Sequence, residues 1–210
     1  MGTTGSLDSA AKIGGILFDM DGVVVRQRLD FPTIKWEIFG DSGGFILERM
    51  AGLSPVERTR AEAILERHET AAALEAEPMD GILQFATWMD TRQLRRGIVT
   101  RNSRKSVDVV IARLGLTFDA VVTREDAPPK PAPDPVLLAC RWMGLPPSEV
   151  LFIGDFEFDM LAGRRAGART VLLRSTLMKS SEHADLTVDS LDELRGLLET
   201  APGVSARKGA

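Results

Sequence analysis

The sequence of 210 residues contains few of the cysteine and histidine residues that form disulfides or bind soft metals. It contains one cysteine, Cys140, and two histidines, His68 and His183. A single cysteine excludes an internal disulfide framework, and three such residues are too few for a Cys/His zinc site. We therefore expect any bound metal to be a hard cation held by carboxylate oxygens.

Long apolar runs and an excess of positive charge are also missing. No apolar stretch reaches the ~18 residues that a membrane span needs, and the first fifteen residues do not resemble a secretory signal. The net charge is −4 and the isoelectric point is near 5.3, which disfavours a nucleic-acid partner. These features predict a cytoplasmic protein with no membrane and no nucleic-acid partner, and we expect a monomer or a weak dimer.

The composition that remains is typical of a folded protein. The chain is 44% hydrophobic and 27% charged, which excludes a disordered chain. Its length suits one domain with a sizeable insertion. We expect flexible tails over residues 1–12 and 201–210.

Short apolar strands alternate with amphipathic helices over most of the chain, which predicts an α/β fold with a doubly wound parallel sheet. The first strand spans Ile13 to Phe18, and Val23 to Val25 is expected to continue extended. Further strands are predicted at residues 97–100, 120–123, 150–153, 170–173 and 186–188, with helices at 82–89, 103–114, 135–143, 159–166 and 191–198.

Residues 26–79 contain no convincing strand and are predicted to form a helical insert. Two short helices are expected at 31–39 and 44–50. A longer helix begins at Ser54, where Pro55 and Glu57 complete a capping box, and it is expected to run to about Ala76. Its apolar face is predicted to include Ala63, Ile64, Leu65 and Leu74.

Polar residues follow three of the predicted strands. Asp19 and Asp21 follow the first, Thr100, Arg101 and Asn102 follow the second, and Asp155 with Asp159 follows a later one. Lys130 lies in a proline-rich loop. Because ligands bind at the carboxyl ends of parallel strands, we expect these side chains to gather at one edge of the sheet.

Such a cluster of side chains could bind a divalent cation and a phosphate. Converging carboxylates repel one another unless a divalent cation lies among them, and Mg²⁺ prefers oxygen ligands. A threonine hydroxyl, a lysine ammonium and free backbone N–H groups can hold a phosphate. One carboxylate could attack phosphorus and another could transfer the proton.

These segments resemble the motifs of the haloacid dehalogenase superfamily, in particular its phosphoglycolate phosphatase and β-phosphoglucomutase-like members. The first motif is ILFDMDG at 16–22, the second is Val99-Thr100, the third is KPAPD at 130–134 and the fourth is GDFEFDM at 154–160. The resemblance covers about residues 13–200. It implies a Rossmann-like core at 13–25 and 80–200, with a small helical cap at 26–79 inserted after the first strand.

The resemblance also implies a role for each motif residue. Asp19 would be the nucleophile and Asp21 the general acid/base. Thr100 and Lys130 would hold the phosphate, together with Arg101 or Asn102. Mg²⁺ would be bound by Asp19, the backbone carbonyl of Asp21 and Asp155, with Asp159 supporting the site from outside the direct ligands.

The implied function is a Mg²⁺-dependent phosphatase that acts on a small phosphorylated metabolite through an aspartyl-phosphate. A phosphomutase of the β-phosphoglucomutase type would use the same residues, and a phospho-aspartate receiver or an inactive binding protein are alternatives from other classes. Phe156 and Phe158 depart from the usual fourth motif, and we expect one or both to pack against the neighbouring core rather than to crowd or dehydrate the entrance of the site. Arg26, Arg28 and Lys35 are expected to be solvated charges rather than substrate contacts, and His68 is expected at the surface.

Overall fold

A single twisted sheet organises the computed structural model, which describes residues 4–5 and 12–201. Six strands run parallel, and the short first strand pairs antiparallel with the last. The strand order is β1-β7-β6-β5-β2-β3-β4. The strands are β1 Thr4–Gly5, β2 Gly15–Phe18, β3 Arg95–Val99, β4 Ala120–Val122, β5 Val150–Gly154, β6 Arg169–Leu173 and β7 Leu186–Val188.

Helices cover both faces of this sheet. Ile16 and Phe18 of β2 point into one apolar cluster, whereas Leu17 points into a second cluster on the opposite face. Burial on both faces explains why the strands read as continuous apolar runs. The helices are α1 Phe31–Phe39, α2 Ile46–Met50, α3 Pro55–Leu74, α4 Ile82–Thr91, α5 Arg104–Leu114, α6 Asp134–Met143, α7 Glu157–Ala166 and α8 Leu191–Thr200, with a 3₁₀ turn at Pro147–Glu149.

The prediction of a doubly wound α/β core is confirmed. The chain proceeds from β2 to β3 and β4 on one side, and then crosses to β5 on the other side of β2. The strand order therefore reverses direction next to β2, and a crevice opens there at the carboxyl ends of the strands. The loops that follow β2, β3 and β5 all meet at this crevice.

Residues 26–79, which we call the insert, carry α1, α2 and α3 and contain a small apolar cluster. Ile34, Ile46, Met50, Ala61 and Leu65 are buried together. The capping box between Ser54 and Glu57 is present as predicted.

The predicted apolar face of α3 was partly wrong. Leu74 is 59% exposed, and the buried positions are Ala61, Leu65, Glu69 and Ala73. These four follow a strict four-residue spacing, which lies on one side of a helix. The stripe that packs inward therefore includes a carboxylate.

The predicted tails fall mostly outside the described residues. Thr4–Gly5 lies within the first of them and forms the short strand β1; residues 1–3, 6–11 and 202–210 are outside the described part. Among the described residues, no helix combines the length and the apolar character that crossing a membrane would require.

Candidate active site

The loop after β2 presents two carboxylates at the carboxyl edge of the sheet. Asp19 follows the strand, and its N–H donates to the carbonyl of Ile153. The chain then turns back instead of continuing extended through Val23–Val25, which corrects the sequence prediction. The N–H groups of Val24 and Val25 donate to the carbonyl of Met20 at 2.9 and 3.0 Å, and the turn places Asp21 beside Asp19.

Gly22 is required by the geometry of this turn. Its φ is +83°, a value that side-chain-bearing residues rarely adopt. A Cβ at this position would lie 2.2 Å from Oδ2 of Asp155. The absence of a side chain therefore lets the first loop approach the carboxylate that follows β5.

Lys130 is the buried cation of the site, with only 2% of its surface exposed. Its Nζ lies 2.7 Å from Oδ1 of Asp19 and 2.6 Å from Oδ1 of Asp159, and it donates to the carbonyl of Val99 at 2.9 Å. These three contacts use all three ammonium donors. Burial alone would lower the pKa of Lys130, but the two carboxylates outweigh it and raise that pKa, so the side chain is charged.

Asp155 completes a group of three carboxylates with Asp19 and Asp159. One oxygen of each lies within 4.8 Å of the others. Asp159 is 1% exposed, and its Oδ2 accepts the N–H of Phe156 at the start of α7. Gly154 makes this approach possible, because a Cβ there would lie 2.2 Å from the Cβ of Asp159.

The charges of this group do not balance. Three carboxylates face one ammonium, which leaves a formal charge of −2. Burial, together with Asp19 and Asp159, raises the pKa of Asp155 to about 8. Burial also raises the pKa of Asp159, although Lys130 opposes that shift. A divalent cation with oxygen ligands fits this donor set and would neutralise it.

The side chain of Asp21 is hydrogen-bonded to the loop after β3. Its Oδ2 accepts a hydrogen bond of 2.5 Å from the side-chain amide of Asn102. Burial and the nearby charge of Asp19 raise the pKa of Asp21 to about 7. A carboxyl group that titrates near neutral pH can both give and take a proton.

The loop after β3 contains three of the four residues predicted to contact phosphate, and their side chains point to different partners. Thr100 and Asn102 are buried at 4% and 7% exposure, and Oγ1 of Thr100 accepts the N–H of Asn102. Arg101 points toward the helical insert instead. It forms two hydrogen bonds with Glu48 at 2.7 and 2.9 Å, and it also donates to the carbonyl of Lys130.

A cavity of about 300 Å³ opens from the acid cluster and extends between the core and the insert. Phe156 and Phe158 line it, so the expectation that they pack against the core was wrong. They meet Phe45 of the insert, with ring centroids 6.1 Å (Phe45–Phe156) and 4.7 Å (Phe45–Phe158) apart. The three rings meet because α7 begins within the fourth motif and Phe45, the N-cap residue of α2, lies against it.

The three basic residues that follow the first motif have different environments. Arg26 pairs with Asp80, and Arg28 pairs with Glu77, in exposed ion pairs at the base of the insert. Lys35 lines the cavity, where its Nζ donates to the carbonyl of Ser42 at 3.2 Å. His68 contacts Glu37 at 2.8 Å with 26% of its side chain exposed.

Glu69 is a residue of the site region that the sequence did not suggest. It lies on α3 of the insert and is 3% exposed. It forms an ion pair with Arg124 and accepts the N–H of Ser103 at 3.1 Å. Burial raises the pKa of Glu69 against the opposing effect of Arg124. Its four-residue spacing from the buried Leu65 and Ala73 is the sequence signal that could have predicted its burial.

All eight predicted site residues thus lie around one cavity. They are Asp19, Asp21, Thr100, Arg101, Asn102, Lys130, Asp155 and Asp159. The arrangement offers a carboxylate held by a buried ammonium, a second carboxyl group poised for proton transfer, and an uncompensated negative charge suited to a divalent cation.

Comparison with known proteins identifies similar chains. The family model described as haloacid dehalogenase-like hydrolase matches residues 37–173. A haloacid dehalogenase-like hydrolase domain-containing protein of Arabidopsis thaliana is 31% identical, over 92% of this chain and 86% of its own. An N-acetylmuramic acid 6-phosphate phosphatase of Pseudomonas aeruginosa is also 31% identical, over 90% and 96%. The crystal structure of a hydrolase from Pseudomonas syringae superposes with a TM-score of 0.74 at 25% identity, over 90% of this chain and 99% of its own.

Proposed function

The chain belongs to the haloacid dehalogenase-like hydrolases, and from that premise we propose that it is a Mg²⁺-dependent phosphatase that hydrolyses a small phosphomonoester through an aspartyl-phosphate. Its homologues are named as phosphatases and hydrolases of this family. The observation that carries the finer proposal is the contact of Asp19 with the buried ammonium of Lys130 inside a group of three carboxyl groups and one ammonium.

Asp19 is the proposed nucleophile. Its Oδ1 is fixed by two donors, Nζ of Lys130 at 2.7 Å and the N–H of Met20 at 2.7 Å. Fixing the carboxylate this way orients it toward the cavity without a reorganisation cost during reaction. An oxygen of Asp19 forms a bond to phosphorus as the bond between phosphorus and the ester oxygen breaks.

Asp21 is the proposed general acid and base. In the first step its proton passes to the departing ester oxygen, which leaves as an alcohol. In the second step Asp21 takes a proton from water, and the water oxygen attacks phosphorus. Inorganic phosphate leaves, and the carboxylate of Asp19 is regenerated. The hydrogen bond from Asn102 holds Asp21 in place for both transfers.

The phosphate would be held by groups that surround Asp19. Thr100 and Lys130 lie at the floor of the cavity, and Asn102 borders it. Mg²⁺, bound by Asp19, Asp155 and the carbonyl of Asp21 with support from Asp159, would offset the negative charge of the phosphoryl group.

We propose that the helical insert at 26–79 acts as the cap over a core formed by 13–25 and 80–200. The ion pair between Arg101, in the loop after β3, and Glu48 of the insert joins the two parts beside the cavity, which supports a lid that excludes water during reaction. The relative from Pseudomonas aeruginosa is named for a small phosphorylated sugar acid, which supports a small phosphorylated metabolite as substrate.

The test is hydrolysis of 4-nitrophenyl phosphate by the full chain, with Mg²⁺ and with excess EDTA. We expect release of phosphate that requires Mg²⁺ and is abolished in Asp19→Asn. An exposed-residue control, Asp108→Asn, should keep wild-type activity. Metal-independent hydrolysis, or an active Asp19→Asn variant, would refute the proposal.

The phosphomutase alternative is separated by the fate of the phosphoryl group. A phosphatase releases inorganic phosphate, whereas a mutase transfers the group to a second sugar phosphate. Failure to bind Mg²⁺ by calorimetry would instead favour an inactive binding protein. The cytoplasmic location and the monomeric or weakly dimeric state stay predictions, the latter open to sedimentation analysis.

A further inference from the structure

The outer part of the cavity differs in character from its floor. The floor holds the carboxylates and Lys130. The outer wall, which we call the apolar wall, is made of six side chains from the insert and from α7 and its N-cap: Phe31, Phe45, Ile46, Leu47, Phe156 and Phe158. The floor accounts for a phosphoryl group and a cation, so the apolar wall faces the alcohol part of the substrate.

The apolar wall leaves large side chains in contact with solvent at one place. Phe31 is 36% exposed and Phe45 is 48% exposed, and Leu177 beside them is 70% exposed. Single exposed apolar residues are ordinary, but a contiguous group around a cavity marks a binding surface. Phe45, Phe156 and Phe158 form a packed cluster in which the Phe156 and Phe158 rings are 5.3 Å apart and nearly perpendicular.

The described polar side chains of the outer cavity are few, and each has at least one partner. Arg101 is held by Glu48 and lies over the ring of Phe158 at 4.9 Å. Oε1 of Gln27 accepts the N–H of Leu29, and Nζ of Lys35 donates to Ser42. A polyhydroxylated body would lose hydrogen bonds to water against the apolar wall, and among the described side chains of the outer cavity the amide of Gln27 and the ammonium of Lys35 could replace some of them.

The cavity is small for a ligand site. Its volume of about 300 Å³ lies at the lower end of the range for ligand pockets, and exposed side chains such as Phe45 and Leu177 border its opening. We therefore expect the body of the substrate to be about the size of one ring.

From these observations we infer that the substrate is a phosphomonoester whose body is a single apolar ring or a short branched hydrocarbon, and that the apolar wall selects it over sugar phosphates. This inference rests on the proposed phosphatase function. It concerns the alcohol part of the substrate and leaves the phosphoryl chemistry unchanged.

The experiment compares two substrates of matched shape. Cyclohexylmethyl phosphate and glucose 6-phosphate both carry a phosphate on a methylene attached to a six-membered ring, and they differ mainly in the ring oxygen and the hydroxyl groups. With Mg²⁺ present we expect kcat/KM for cyclohexylmethyl phosphate to exceed that for glucose 6-phosphate by about tenfold or more. 4-Nitrophenyl phosphate serves as the reference for the chemical step.

A matched pair of variants locates the preference. Phe45 precedes α2 at its N-cap position, where serine is well tolerated, so Phe45→Ser should fold. We expect it to lower the ratio of the two kcat/KM values by roughly tenfold. Trp142 is equally exposed at 48% and does not line the cavity, so Trp142→Ser should keep the wild-type ratio.

The outcomes separate the two proposals. If neither ring substrate nor 4-nitrophenyl phosphate is hydrolysed, the phosphatase proposal itself fails. If 4-nitrophenyl phosphate is hydrolysed but glucose 6-phosphate is equal to or better than cyclohexylmethyl phosphate, or if both ring substrates are inert, the inference about the apolar wall is overturned. An unchanged ratio in Phe45→Ser would also overturn it.

Discussion

Replacing Asp155 by asparagine removes an ionisable carboxyl group from the acid cluster and keeps the size of the side chain. The pKa of Asp155 is raised to about 8 by burial and by Asp19 and Asp159, whereas an unfolded chain has an aspartate pKa near 4. A raised carboxyl pKa favours the folded protein below pH 4, and that advantage disappears as the pH rises through 8. In the metal-free protein, Asp155 therefore opposes folding at neutral pH.

The size of this penalty follows from the shift. The unfolded side chain is ionised at pH 7, which is about three units above its pKa. Each unit corresponds to about 1.4 kcal/mol. The free energy of unfolding is thus lower by about 4 kcal/mol than it would be below pH 4. Asp155 is 9% exposed, so solvent screening removes only part of this free-energy penalty. We expect Asp155→Asn to raise the melting temperature of the metal-free protein by on the order of 10 °C.

The assay is thermal unfolding in EDTA and in Mg²⁺, from pH 5 to pH 8. In EDTA the wild type should lose stability as the pH rises, and Asp155→Asn should lose less. In Mg²⁺ the wild type should gain stability by mass action, and the variant should gain less. Asp108→Asn, at an exposed position of α5, should behave like wild type. An Asp155→Asn variant that melts below wild type in EDTA would refute the reasoning.

Three further substitutions test other parts of the site. Lys130→Met leaves Asp19 and Asp159 without their buried cation, so urea titration should show a loss of about 3–5 kcal/mol; unchanged stability would contradict the charge balance described above. Gly22→Ala places a methyl group against Asp155 at a φ of +83°, so calorimetry should show weaker Mg²⁺ binding, about tenfold, and wild-type affinity would count against the predicted contact. Asp21→Asn removes the proton donor and should lower kcat by about 10²–10⁴-fold with little change in KM, and a smaller loss in steady-state kinetics would point to another acid.

Two rules are enough to predict from the sequence where the motif residues lie. An apolar run followed by polar residues identifies the end of a strand, and the parallel topology brings such ends to one edge. This predicted that Asp19, Thr100 and Asp155 would meet, although 81 residues separate the first two. The turn at Val23–Val25 was missed because three valines favour a strand, whereas Gly22 and the bonds to the carbonyl of Met20 reverse the chain.

The lining of the cavity could not be predicted from local patterns. Phe45 and Phe156 are far apart in sequence, and they meet only because the insert packs over the start of α7. Periodicity shows which side of a helix is apolar, but not which surface of another segment it contacts. Glu69 is different, since its four-residue spacing from Leu65 and Ala73 marks it as buried once the correct stripe is chosen.

Neighbouring residues in the loop after β3 contact different parts of the protein. Arg101 and Asn102 are adjacent, yet Arg101 contacts Glu48 of the insert and Asn102 contacts Asp21 of the core. Separation of the insert from the core would break the ion pair of Arg101. The bond to Asp21 joins two core loops, but Ser103, next to Asn102, donates its N–H to Glu69 of the insert. The group proposed to transfer the proton is therefore held by a loop that the insert also contacts.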